Sequence, residues 1–414
     1  MKTATSYHRT TCRLCEKSQL ELVIPYPPTP IADAYVPAAR RDEPQELFPL
    51  DLYLCPDCGH VQLCDVINPE LLFANYTYET SISLGLVEHF RKYAEDIIAY
   101  SHPVANSLVV EIGSNDGSLL RFFKQQGLRG LGIDPARSIA EKATIGGIET
   151  LPVFFTSEVA AQIKKQHGSA AIVTANNVFA HADNMGDIAA GIAALLDQDG
   201  IFCFEVSYLP DIIEKKLFDT IYHEHLCYHA IKPLQSFFRM HGLELVDFIR
   251  IPTKGGSFRG IAQRAGGARP VMPSVQHQIE FEIAAGFDTK EPFIKFAAEL
   301  DGIRTELREL LGGLKAQGKS IAGYGASATV TTLSYYFGLG DFINFLVDDN
   351  PLKFETFTPG EHLPVLPSQA LYDIKPDYVV VLAWNYAAPI MAKHQAYRAS
   401  GGKFIVPLPN LVVG

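Results

Sequence analysis

Two C-x-x-C pairs, Cys12-Arg-Leu-Cys15 and Cys55-Pro-Asp-Cys58, stand early in the chain with residues 16–54 between them. The two-residue spacing lets both sulfurs of a pair face one ion, and four thiolates close a tetrahedral zinc shell. Prolines crowd the same stretch (Pro25, Pro27, Pro28, Pro30, Pro37, Pro44), stopping long helices and favouring extended segments and turns. A loop-rich module over residues 1–70 buries too little apolar surface to hold itself together without a staple. A complete thiolate shell leaves no open position for water, so the ion expected at Cys12, Cys15, Cys55 and Cys58 is structural zinc. Cys64 and His60 are close enough in sequence to replace a ligand. The other two of the chain's 7 cysteines, Cys203 and Cys227, stand alone, so the pattern points to metal and not to a disulfide scaffold.

The remainder is too long for one core. With 414 residues, 47% of them apolar and 20% charged, the chain is expected to fold as two or three domains without long disorder. Lys and Arg number 35 against 46 Asp and Glu, a net charge of −11, which has the wrong sign for binding nucleic acid or an anionic membrane surface. No apolar run approaches the roughly 18 residues of a membrane helix, and Met1 to Arg13 lacks the order of a signal peptide, so a cytoplasmic protein is expected.

Short apolar runs begin after a helical pattern at Leu86–Ala99. They lie at Leu108–Ile112, Gly130–Ile133, Ala170–Thr174, Gly200–Val206, Leu243–Ile251 and Phe258–Gln263, several of them unbroken by polar residues, as strands buried on both faces are. Helical stretches at Ser118–Gln126, Ala136–Thr144 and Met185–Leu196 alternate with them, predicting a parallel, doubly wound α/β sheet. A long helical pattern from Val275 to Leu311 follows, interrupted at Gly286 and Pro292. Strand, glycine turn and helix then start again at Ser320–Tyr324, Phe345–Val347, Tyr378–Ala383 and Lys403–Val406. The expected division is 1–70, 71–268, a helical linker 269–315, and a second α/β domain 316–414.

The first glycine turn carries the most chemistry. Leu108-Val-Val-Glu111-Ile-Gly113-Ser-Asn115-Asp116-Gly117 ends a strand in a carboxylate and opens a turn that a ligand can approach closely; Asp134 ends the next strand, where a ribose diol is held in nucleotide-binding folds. A dinucleotide site would carry a second glycine where Asn115 stands, and Asp116 would repel a pyrophosphate. A cationic ligand without phosphate is tolerated, and S-adenosylmethionine is such a ligand. Asn176, Asn177 and His181, in the polar turn after a buried strand, are candidates for contact with donor or substrate.

Phe218-Asp-Thr-Ile-Tyr222-His223-Glu224-His225-Leu-Cys227-Tyr228-His229 gathers histidines, a glutamate and tyrosines without the spacing of a metal motif. General acid and base chemistry suits it: histidine takes a proton from carbon beside a carbonyl, glutamate orients it, and tyrosine hydroxyls bind an oxyanion. Lys254-Gly-Gly-Ser257-Phe-Arg259 adds flexible backbone and two cations suited to an anionic substrate. The second turn, Gly323-Tyr324-Gly325-Ala-Ser327 with Asp348 beyond it, also admits a second nucleotide site and, as an alternative, an NAD-dependent sugar-nucleotide oxidoreductase or epimerase.

Together these motifs resemble the sugar C-methyltransferases, which methylate a carbon of nucleotide-linked deoxyketosugars. The resemblance spans nearly the whole chain: the cysteine knuckles, Tyr76-Thr-Tyr78, the Glu111–Gly117 turn, the Phe218–His225 block, Gly255-Gly-Ser257, Gly323–Ser327 and Asp348-Asp-Asn-Pro351. It implies a zinc module, a central methyl-donor domain of Rossmann-like fold and a terminal Rossmann-like domain that helps to hold the sugar nucleotide, with the reaction in a cleft between the two. It further implies His225 as base, Glu224, Tyr222 and Tyr76 around the sugar, His181 near the donor, and Tyr324, Ser327 and Asn350 near the nucleotide diphosphate. The expected substrate is a nucleoside-diphosphate 4-keto-deoxysugar methylated at C3, and the expected state a monomer or homodimer. Lys254 stands where the family has histidine, and Ser83-Leu-Gly-Leu-Val87 also departs from its pattern; both bear on which sugar is used.

Overall fold

The Leu108–Ile112 strand, five apolar-rich residues buried along their whole length, is an interior strand of a seven-stranded sheet in a computed structural model that describes residues 5–73, 80–82 and 84–414. The chain divides into two compact units: Met1–Glu21, Leu54–Pro210 and Leu226–Thr289 form one, and Leu22–Tyr53, Asp211–His225 and Lys290–Gly414 the other.

In the first unit the sheet runs Leu243–Ile251, Ser257–Arg264, Leu196–Ser207, Ala170–Asn176, Leu108–Ile112, Arg129–Ile133, Thr150–Leu151. The last five are mutually parallel, as the alternation of strand and helix predicts. Ser257–Arg264 is antiparallel to both its neighbours, which the pattern alone does not reveal. Only residues 252–256 join it to Leu243–Ile251, too few for the dozen or more residues of a parallel crossover. One face of the sheet is covered by Leu84–Ser101 and Ser118–Gln125, with Tyr93, Ile97 and Phe123 packed on Val109, Ile172 and Ile201. The other face carries an aromatic core of Phe179, Phe202, Phe204, Phe238 and Phe258, and Cys12, Leu14 and Cys55 belong to the same core.

In the second unit a sheet of eight strands has a parallel centre of Lys403–Val406, Tyr378–Val381, Ile321–Tyr324, Leu346–Asp348 and Pro364–Pro367. Val36–Pro37 forms one edge, so residues from the proline-rich stretch complete the terminal domain. The long helical pattern resolves into Pro273–Ala284 and Glu291–Ala316. Pro292 does not break the second helix because it sits in the first turn, where its missing N–H has no partner to lose.

Candidate active site and metal centre

Around the cysteines each knuckle folds back through a residue with positive φ, Glu16 (+60°) after the first and Gly59 (+85°) after the second. Glu16 N donates to Cys12 O and Gly59 N to Cys55 O, closing equivalent turns. A Cβ at Gly59 would press to 3.0 Å from Asp288 Cβ, so the second knuckle needs glycine for space as well as for φ. The four Sγ atoms lie within 4.8 Å of one another, with Cys12–Cys58 at 3.6 Å and Cys15–Cys55 at 3.5 Å. A tetrahedral zinc–thiolate shell has sulfurs about 3.8 Å apart, so the quartet fits the ion. Cys12 is held down to about 5, chiefly by the Cys58 thiol donating to it and also by the knuckle amides, against burial. His60 stacks on His229 instead of joining the cluster, and Cys64 is outside the quartet.

At the carboxyl edge of the first unit's sheet, Gly113 (φ +68°) lets the chain turn with its N–H on Ile133 O, and a Cβ there would come within 2.3 Å of Val178 Cγ2. Asp134 ties this turn to the next helix: Asn115 N donates to its Oδ2 at 2.8 Å and Ala136 N to its Oδ1 at 2.9 Å. Asn115 Oδ1 accepts from Thr80 N, and Asp116 accepts from Ser81 N on one oxygen and from Ser118 N and Oγ on the other. Both residues thereby fasten residues 80–81 onto the turn, and Asp116 also takes up the first amide of the Ser118–Gln125 helix, whose N-cap is Gly117. Burial raises the Asp116 carboxyl, but the bonds from Ser118 and Ser81 outweigh it and hold the group below its ordinary range. Glu111 is pushed well up, by burial first and then by the charges of Asp134 and Asp116.

Asn176 ends its strand with Nδ2 on Thr174 Oγ1, and Asn177 (φ +55°) donates its N–H to Glu205 O at 2.7 Å. His181 follows in the same loop, partly exposed, its N–H on Val178 O. Two buried acceptors, Glu111 Oε2 and Asn176 Oδ1, have no partner among the described residues. Acceptors of this kind suit a ligand that brings hydroxyl and ammonium donors and no phosphate, and S-adenosylmethionine has both. Beside them, Glu205 binds Arg259 at 2.8 Å and His89 Nε2 at 2.7 Å, and Arg259 lies over the Tyr93 ring. Arg259 is therefore buried in an ion pair, Ser257 is buried with Oγ on Thr253 O, and Lys254 is exposed.

Tyr222, Glu224 and His225 lie in the second unit, on the loop after the Phe218–Thr220 turn. His225 Nδ1 donates to Thr220 O at 2.7 Å, which fixes the tautomer and leaves Nε2 as the basic nitrogen. The Tyr222 ring centroid is 4.1 Å from that of His225, and Glu224 is buried. Within this unit the loop is pinned by Phe218 against Tyr336 and Phe337, by Thr332 Oγ1 on Ile221 O, and by Trp384 Nε1 on Asp219 Oδ2 at 2.9 Å. Trp384 is the chain's single tryptophan and stands in no recognisable motif. Tyr324 donates to Asp349 at 2.8 Å; Ser327 and Asn350 are exposed, with Asn350 Oδ1 capping Leu352 N. Tyr76, like Tyr78 and Ser83, lies outside the described residues.

Burial pushes the Asp219 carboxyl up to about 7, against the Trp384 hydrogen bond. An acid raised above its unfolded value near 3.9 contributes stability that is complete below that value and lost as pH rises through about 7. Urea unfolding should therefore show a decline across that window of at most about 1.4 kcal/mol per pH unit from this group. Asp219→Asn, which keeps an acceptor for the indole, is expected to flatten the decline; an unchanged profile would remove Asp219 as its source.

Three family profiles match in series: "Putative zinc binding domain" over residues 12–73, "Methyltransferase domain" over 87–247, and "C-methyltransferase C-terminal domain" over 252–409. The chain is 36% identical over 401 residues to the C-methyltransferase NovU of Streptomyces niveus, covering 96% of this chain and 95% of that protein. Among solved structures, magnesium protoporphyrin IX methyltransferase (ChlM) of Synechocystis PCC 6803 with bound SAH aligns with TM-score 0.34 at 18% identity, covering 44% of this chain and 85% of that one. The PH0226 protein of Pyrococcus horikoshii OT3 aligns with TM-score 0.37 at 10% identity, covering 47% and 98%. Among the described residues no helix is long and apolar enough to cross a membrane.

Proposed function

The chain belongs to the C-methyltransferase family, as an S-adenosylmethionine-dependent enzyme with a zinc-binding amino-terminal domain, and from that premise we propose that its acceptor is a nucleoside-diphosphate 4-keto-deoxysugar, methylated at C3. The observation that carries this reading is the His225 tautomer. Carbon methylation needs an acceptor carbon made nucleophilic by loss of a proton, and a histidine held through Nδ1 on Thr220 O offers Nε2 as the base.

In this scheme the ketone at C4 acidifies the C3 hydrogen, and His225 Nε2 takes that proton to give an enediolate. The hydroxyls of Tyr222 and Tyr76 donate to the oxyanion, and Glu224 orients the sugar or the base. The bound donor supplies an electrophilic methyl on a sulfonium: the new C–C bond forms as the S–C bond breaks, and a neutral thioether leaves. Glu111, Gly113, Asn115, Asp116, Asp134, Asn176 and Asn177 form or brace the donor site, with His181 beside it. Lys254 and Ser257 serve the anionic substrate, Arg259 acts through its Glu205 pair, and Tyr324, Ser327 and Asn350 attend the diphosphate. Residues 1–70, 71–268, 269–315 and 316–414 would then be zinc module, donor domain, helical linker and substrate domain of a cytoplasmic monomer or homodimer.

The alternative, NAD at the second glycine turn, is not favoured. Both Asp348 oxygens accept turn amides, from Ala326 and Asn350, and both Asp349 oxygens accept side-chain donors, from Tyr324 and from Ser368 and Lys393. What weighs against NAD there is the 36% identity to a C-methyltransferase over 96% of this chain, which includes this turn.

A panel of nucleoside-diphosphate 4-keto-deoxysugars incubated with methyl-labelled donor tests the reading. At least one sugar should gain a methyl group on C3, located by NMR, and should exchange C3–H for deuterium without donor. Label found on oxygen, or on none of the panel, would sink the ketosugar assignment.

A further inference from the structure

Arg13 sits between the two cysteines of the first knuckle, and its side chain is fully buried. A buried guanidinium needs a charged or well-bonded partner. It finds Asp183 Oδ1 at 2.9 Å through Nε, and it also donates to Leu63 O. Arg9, three residues before the knuckle, donates to Asp183 O at 3.2 Å and to its Oδ1 at 3.3 Å, and Tyr7 OH donates to Oδ2. Three residues of the zinc module thus converge on one carboxylate, all within the first compact unit.

Asp183 closes the loop that starts at Asn177 and carries His181, two positions before it. A further tether leads to the same loop: Cys227 N donates to Ala180 O at 3.0 Å, and Cys227 pairs with Gln62 in the strand Val61–Leu63 that follows the second knuckle. The loop is therefore held at its end directly by Arg9, Arg13 and Tyr7, and at its middle by Cys227, which itself pairs with the strand after the second knuckle. Asn177, with φ +55°, carries a backbone conformation that asparagine tolerates but does not prefer, so fixing the loop downstream helps to keep it there.

We propose that the zinc module positions the donor loop: Arg13, oriented by the metal knuckle, grips Asp183 and thereby holds residues 177–183 in the geometry that binds S-adenosylmethionine. This rests on the reading that Asn176, Asn177 and His181 meet the donor. Arg13, Arg9 and Asp183 are then positioning residues that act on the donor through the loop.

Asp183→Ala and the isosteric Asp183→Asn, each loaded with zinc and checked by atomic emission, would be titrated with S-adenosylmethionine by calorimetry well below the melting transition. Hydrogen exchange of residues 177–183 would be followed in parallel. Donor binding should weaken about tenfold in Asp183→Ala and less in Asp183→Asn, with zinc content unchanged and faster exchange in the loop. Wild-type affinity and exchange in both variants would overturn the proposal. Asn176→Ala and His181→Ala separate the two layers: if they weaken binding while Asp183→Ala does not, the clamp alone fails, and if neither weakens binding, the donor-loop reading fails and the clamp with it.

Discussion

Replacing His225 with alanine is expected to abolish methyl transfer, lowering kcat by roughly 10²- to 10⁴-fold, the range a positioned general base supplies. S-adenosylmethionine affinity should stay within about twofold of wild type, a span of under 0.5 kcal/mol. The reason is the arrangement of the fold: Glu111, Asp134 and Asn176 stand on the sheet of the first unit, while His225 hangs on Thr220 O in a loop braced by Phe218, Ile221 and Asp219 within the second. Exchange of the substrate's C3 hydrogen with solvent deuterium, which requires only the base, should vanish along with turnover. His225→Ala enzyme that still exchanged that hydrogen at the wild-type rate would assign the base elsewhere; loss of methyl transfer with exchange intact would move His225 to a later step.

What could be read from sequence, and what could not, divides along the range of the interactions. The Leu108–Ile112 and Ala170–Asn176 strands are legible because strands buried on both faces carry unbroken apolar runs. The thiolate quartet is legible because its spacing is local within each knuckle. The reversal of Ser257–Arg264 follows from a short connection that an apolar run does not advertise. Least legible are partnerships across long stretches of chain, such as Arg13 with Asp183, Asp219 with Trp384, and Val36–Pro37 as an edge of the terminal sheet. In each case the residue types are ordinary and only the fold makes them neighbours. Asn115 and Asp116 show a subtler form of this: their chemistry suggested a ligand, and their hydrogen bonds also hold the backbone at Thr80 and Ser81.

Loss of the zinc should be felt well beyond the knuckles. Cys12 and Cys55 are fully buried and belong to the aromatic core that supports one face of the donor-domain sheet, so the ion staples that core and not a surface finger. Structural zinc sites release on the order of 10 kcal/mol or more on binding, and that energy is folding energy because the site does not exist in the unfolded chain. Cys55→Ser leaves a three-thiolate site around a weaker ligand, and even a net loss of about 4 kcal/mol would lower Tm by roughly 10 °C in a unit of this size. Atomic emission should find one zinc per wild-type chain and little in the variant, with Tm falling in step. Stripping the wild type with a chelator should reproduce the shift, and returning zinc should reverse it. A chain freed of metal that melts at the wild-type temperature would mean that the aromatic core closes over four free thiols unaided, and the proline-rich module would then need another explanation for its order.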